Sequence, residues 1–173
     1  MRYTFLFVVT LFFLSFDAIA QKGQKTQKVQ PQHEEIIYSF VTSENKTVVI
    51  AFEKQQNYVV FRYGTNEKVE VEIRESKTTA EKKFKYSFFK RGTPKHTNYL
   101  DLNYLNVNVG ATQYVIFEDY IALGVEPEIG IIITDANIGD RKEIKGDLTT
   151  KKGSLNFFKE NEDFVEMSTS VFR

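Results

Sequence analysis

Four polar side chains stand on one predicted strand: Asp101, Asn103, Asn106 and Asn108, within Tyr99–Val109. Asn and Asp are depleted in strands, so a row of them is a candidate surface of donors and acceptors. Carboxylate and amide groups together match the hydroxyls of a sugar or the backbone of a peptide. Tyr120, on the next predicted strand, adds aromatic surface to this ligand-binding set, with Tyr99 and Tyr114 in the same hairpin. The apolar residues change phase along the strand, from Leu100, Leu102 and Tyr104 to Leu105, Val107 and Val109. A β-bulge near 104–105 is therefore expected, because it keeps the four polar groups on one face. The competing reading is a solvated outer face, common in half-wet antiparallel sheets.

A second candidate is Glu70-Val71-Glu72-Ile73-Arg74-Glu75. Residues i and i+2 share a strand face, which makes Glu70 and Glu72 neighbours. Two carboxylates ~5–5.5 Å apart are what a retaining glycosidase uses, one as nucleophile and one as acid. The run resembles the E-x-D-x-x-E motif of jelly-roll retaining glycosidases, which implies catalysis by Glu70, Glu72 and Glu75. It departs from that motif at Glu72, where Asp is expected, and the chain has no Trp for a sugar platform. A solvated charged face explains the same alternation.

Lys82–His96 carries six Lys/Arg and no acid, interleaved with Phe84, Tyr86, Phe88 and Phe89. In an extended strand Lys83, Lys85 and Arg91 share one face, an anion-binding candidate for a phosphorylated or acidic glycan. Edge protection by Lys is the simpler explanation. Glu118–Glu128 and Glu160–Glu166 are acidic without Lys or Arg, so charge is zoned. Asp135-Ala136-Asn137-Ile138-Gly139-Asp140 resembles an extracellular calcium loop, with Asp135, Asn137 and Asp140 as ligands. The bidentate Glu at loop position 12 is replaced by Gly146. Asn, Gly and Asp also suit a tight hairpin.

Much catalytic apparatus is absent. There is no Cys, which excludes thiol chemistry and Cys-ligated zinc. His33 and His96 are the only histidines, and no G-x-S-x-G elbow, HExxH, phosphate loop or dinucleotide fingerprint occurs. No cofactor is implied. Asn45-Lys46-Thr47 is a glycosylation sequon, meaningful in a eukaryotic host.

The elements that must hold these groups are short Val/Ile/Phe/Tyr-rich runs: Glu35–Val41, Thr47–Phe52, Tyr58–Tyr63, Lys68–Arg74, Phe84–Lys90, Tyr99–Val109, Thr112–Ile121, Glu128–Thr134, Arg141–Lys145 and Ser154–Phe158. Turn-prone segments separate them, and no room is left for βαβ crossovers. The expected fold is all-β: a single-domain antiparallel β-sandwich, jelly-roll-like, of eight to ten strands, with a closed antiparallel β-barrel as the alternative. Glu75–Lys83 suits one helical turn and Lys159–Met167 a short terminal helix.

The N-terminus has Arg2, a short apolar run Phe5–Phe16 and Ala18-Ile19-Ala20 before Gln21, the pattern of a signal peptide cleaved after Ala20. Residues 21–33 read as a Gln/Lys-rich disordered leader, residues 34–160 as the β domain and residues 161–173 as a C-terminal tail. No second long apolar run predicts a transmembrane segment in the mature chain. The formal net charge is zero, which offers no overall attraction to nucleic acid.

Tyr58–Glu72 and Leu100–Leu105 together resemble segments of small exported bacterial proteins with a signal peptide and a β-rich mature domain. That resemblance implies a bacterial, periplasmic or secreted setting and no activity. The leading expectation is a non-catalytic extracytoplasmic binding or interaction module for a cell-envelope glycan or protein. The alternatives are a small carbohydrate-active hydrolase using a Glu pair, and an inhibitor or immunity-type protein that blocks a partner enzyme. N-terminal sequencing of the protein recovered outside the cytoplasm is expected to begin at Gln21; recovery with Met1 intact contradicts the cleavage.

Overall fold

The structure, a computed structural model, describes residues 33–170 apart from Gln56, residues 95–97 and residues 122–123. The segments expected to be signal peptide and leader, up to residue 32, and His96 lie outside the described residues. The elements in chain order are β1 (Glu35–Thr42), β2 (Thr47–Glu53), β3 (Tyr58–Gly64), β4 (Val69–Ser76), β5 (Phe84–Arg91), β6 (Leu100–Val109), β7 (Thr112–Ile121), β8 (Glu128–Asp135), β9 (Asp140–Gly153), the short helix α1 (Phe157–Glu160), a 3-10 turn (Glu162–Phe164) and β10 (Glu166–Met167). The protein is all-β, with one ten-stranded sheet in the order β10-β5-β6-β7-β8-β9-β1-β2-β3-β4 curled into a half-barrel. Neighbours are antiparallel except β10, which runs parallel to β5. Among the described residues no helix is long and apolar enough to cross a membrane.

Alternation sets the core. Val48 and Ile50 of β2, Phe61 of β3, Tyr86 of β5, Leu105 of β6, Ile116 of β7 and Ile131 of β8 form one buried cluster on the concave face. β3 and β8 are covered on both faces. Val60 packs with Val49 and Ala51 on the convex side, and Ile132 packs with Tyr104, Val115 and Phe117.

Two strand-like runs behave differently from expectation. The ninth strand does not stop at Lys145 but continues to Gly153. Its first half pairs with β8 and its second half with β1, so β9 turns the sheet around its own length. Gly146 stands at that change of partner, where an added Cβ would lie 2.5 Å from the Phe40 ring and 2.8 Å from Ile129. Extra residues beyond it are absorbed by a bulge. Asp147 accepts from Thr149, and the Thr150 hydroxyl, itself donating to the Asp147 carbonyl, accepts the Val41 N–H at 2.9 Å.

The run Ser154–Phe158 is not a strand. Gly153 has φ +69, in the left-handed region that ends an extended chain. The Leu155 N–H then donates to Glu118 at 2.9 Å, and the chain folds into α1. This carries Phe158 and Phe164 into the core, against Tyr86 at 5.6 Å and Phe52 at 5.5 Å between ring centroids. Residues after Glu160 therefore pack into the domain: Phe164 and Val165 are core, and β10 joins the sheet. The helical turn expected within Glu75–Lys83 does not form. There the buried Glu75 carboxylate accepts the Lys83 N–H at 2.6 Å and ties β4 to the start of β5.

Gly146→Ala overpacks the junction and is expected to cost about 1–3 kcal/mol. Urea unfolding tests this: the midpoint should fall with the slope unchanged.

Candidate functional site

The ladder of β6 decides where the polar row points. It pairs with β5 from Leu100 to Val107 and with β7 from Leu100 to Val109 without a register shift. The expected bulge at 104–105 is absent, so the four polar residues do not share a face. Asp101 and Asn103 alternate with Leu105 and Val107 on the concave side, while Asn106 and Asn108 lie on the convex side with Leu102 and Tyr104. The apparent phase change arises because Leu100, Leu102 and Tyr104 belong to the convex face; Leu102 and Tyr104 pack there in a second apolar cluster.

Inside the half-barrel the polar groups satisfy one another. Tyr86 donates its hydroxyl to the Asn103 side-chain oxygen at 2.6 Å. The Asn103 amide donates to Asp101 at 3.0 Å, and the Tyr99 hydroxyl donates to Asp101 at 3.0 Å. Lys159 from α1 reaches Asp101 at 3.3 Å, with Lys90 at 3.9 Å. On β7, Asn103 stands opposite Glu118 and Asp101 opposite Tyr120. Glu118 meets Lys151 at 2.6 Å and accepts from the Ser154 hydroxyl and the Leu155 N–H.

Of these groups Asp101, Asn103, Glu118, Lys151 and Ser154 line a cleft of about 490 Å³, together with Tyr99, Tyr120, Asn156, Ile129 and Leu148. Tyr99 and Tyr120 touch edge to face, 5.4 Å between centroids, and Tyr120 is 38% exposed. Burial, then the neighbouring Glu118 and Asp119, push the Tyr38 hydroxyl far above its ordinary range. Lys151 lies 5.9 Å from the Tyr38 ring, and the buried Tyr38 hydroxyl has no hydrogen-bond partner among the described residues. Burial, with Asp101 and Glu118, raises Tyr86 likewise.

The cleft thus brings together Asp101, Asn103 and Tyr120 from the expected ligand-binding set and leaves out Asn106 and Asn108. Asn108 is exposed; Asn106 is buried with its amide oxygen unpartnered among the described residues. Glu118, Lys151, Ser154 and Asn156 were missed. Glu118 was legible: counting back from the two-residue turn at Gly110-Ala111 places it opposite Asn103. Lys151 and Asn156 follow a bulge and a chain reversal that have no local signature.

The remaining candidates scatter. Glu70 pairs with Lys46 at 2.7 Å, Glu72 with Arg62 at 2.7 Å and Arg74 at 3.0 Å, and Glu75 is buried against Lys83. None of the three lines the cleft, and a register irregularity opposite Val69–Val71 interrupts the alternation assumed for Glu70 and Glu72. Lys85 is paired with Glu166 at 3.0 Å, Arg91 donates to the Asn98 carbonyl, and Lys83 lies at the entry to β5. Asp135 and Asp140 close the β8–β9 hairpin as a strand pair, and Asp135 accepts the Asn137 N–H at 2.9 Å. This is the hairpin alternative to a calcium loop. Among the described residues no group of three or more His, Cys, Asp or Glu gathers as a metal site.

One ionic cluster lies outside the cleft. Arg62 on β3 is 1% exposed and holds Glu34 with two guanidinium nitrogens and Glu72 with a third. Tyr58 donates to Glu34 at 2.9 Å. Burial by itself raises the Glu34 carboxyl, but the hydrogen bonds from Arg62 and Tyr58 outweigh it and hold it below its ordinary value.

No protein-family model, curated protein or solved structure matches the chain.

Glu34 is depressed in the folded state, so its stabilisation is present above an unfolded value of about 4.3 and is lost as pH falls through the folded value. Glu34→Gln is expected to flatten the loss of stability below about pH 4.5. Arg62→Met, which strands a buried carboxylate, is expected to cost about 3–5 kcal/mol near neutral pH. Urea titrations across pH check both.

Proposed function

We propose that this protein is a non-catalytic binding module whose cleft takes a cell-envelope glycan, acting outside the cytoplasm after removal of its first twenty residues. One observation carries the reading: a cleft of about 490 Å³ lined by carboxylate, amide and lysine groups together with Tyr99, Tyr120, Ile129 and Leu148. That volume falls in the ~300–1,000 Å³ range of small-molecule sites. Asp101, held in place by Asn103 and Lys159, offers carboxylate oxygens to sugar hydroxyls, and the exposed Tyr120 ring offers apolar surface to pack on. Asp101 and Glu118 are each held by a lysine and by neutral donors. The setting is supported by the sequence pattern of Arg2, Phe5–Phe16 and Ala18-Ile19-Ala20, read as a signal peptide. We read the curled sheet as a barrel that stops short of closure.

Titration of the protein with a panel of envelope-derived oligosaccharides, followed by amide NMR shifts, tests this. Shifts are expected at Tyr99, Asn103 and Glu118, with no turnover of the sugar. Tyr120→Ala, which removes no hydrogen bond seen in the structure, is expected to weaken binding about tenfold, or ~1.4 kcal/mol. Absence of binding across the panel, or turnover of a glycan, contradicts the proposal.

A further inference from the structure

β5 is a terminal strand for most of its length. β10 covers it at Lys85 and Tyr86 only. The Tyr86 carbonyl accepts the Ser168 N–H at 2.8 Å, so it faces the β10 edge. Alternate residues of a strand turn their backbone groups to the same side. Phe88 and Lys90 therefore present N–H and C=O groups along that edge, with no partner strand beside them among the described residues.

The side chains around this edge are unusual for one left to water. Phe88 and Phe89 are 45% and 44% exposed, one on each face of the strand. Lys90 and Arg91 follow, both exposed, and Lys159 lies 4.6 Å from the Phe88 ring centroid. Arg91 and Lys83 meet no carboxylate among the described residues. A strand edge with free backbone groups, flanking apolar surface and cations is an acceptor for strand addition, where ladder bonds give affinity and side chains give selection. The cations repel a second β5 edge and favour an acidic strand.

We propose that the open edge of β5 from Phe88 to Arg91 binds an extended acidic peptide segment of a partner protein, which continues the sheet where β10 stops. Its alternating side chains set apolar residues beside Phe88 on one face of the sheet and carboxylates beside Arg91 on the other. The proposal does not rest on the glycan reading of the cleft, although Lys90 of β5 also lies 3.9 Å from Asp101 in the cleft lining.

The test uses the chain from Gln21 and three capped peptides as long as β5: alternating Val and Glu, alternating Val and Lys, and the Val/Glu peptide N-methylated at alternate residues. Fluorescence anisotropy and amide NMR shifts report binding. Expected is binding of the Val/Glu peptide, with shifts at Phe88 and Lys90, weakened about tenfold by Arg91→Glu. The Val/Lys peptide should not bind, and N-methylation should abolish binding because it removes ladder donors. No binding of the Val/Glu peptide overturns the proposal. Equal binding of its N-methylated form reduces the site to charge attraction and also overturns it. Self-association through this edge, seen by sedimentation and removed by Arg91→Glu, assigns it to a second copy instead and overturns it too.

Discussion

The unbroken register of β6 is the constraint on which the rest of the structure depends. A strand without a bulge must alternate, so Asp101 and Asn103 enter the concave face whatever their solvation prefers. Buried polar groups are costly unless paired, and the surrounding elements meet that demand. Tyr86 and Tyr99 donate from β5 and from the residue before β6, and Lys159 donates from α1. The same demand at Glu118 fixes Ser154 and Leu155 and so starts the chain reversal that brings Phe158 and Phe164 into the core. The polar lining of the cleft and the packing of the C-terminal segment are two results of one register.

Charge that sums to zero over the chain is balanced locally as well. Lys151 answers Glu118, Lys159 answers Asp101, and the buried Arg62 answers Glu34 and Glu72. Replacing one partner of such a pair costs more than the pair contributes, because a charge is left in a poor solvent. Arg91 of β5 is the contrast: among the described residues it reaches a carbonyl and no carboxylate, and its charge remains available to a partner.

Much of the fold was legible because period-two alternation and turn residues speak locally. β7 runs over the residues expected of it, and most other strands differ by a residue or two at their ends. β9 was cut short because Gly146 and the polar residues after it look like a loop, whereas its continuation is decided by β1 alongside. Ser154–Phe158 looked like a strand because its Leu and Phe residues suit one; the positive φ at Gly153 and the grip of Glu118 decide otherwise. The site was half legible. Asp101, Asn103 and Tyr120 do meet, but the bulge invoked to gather Asn106 and Asn108 with them was an inference from one face of apolar residues. The structure has two apolar faces on β6, and a strand buried on both sides carries no phase from which to read one.

The most direct test of this account is the cross-strand NOE pattern of β6 in a labelled sample. Expected are contacts that step evenly through Leu102–Asp119, Tyr104–Phe117 and Asn106–Val115, together with contacts between the Tyr86 ring and the Asn103 side-chain amide. A one-residue step in that series between Tyr104 and Asn106, with Asn103 remote from Tyr86, would contradict the account.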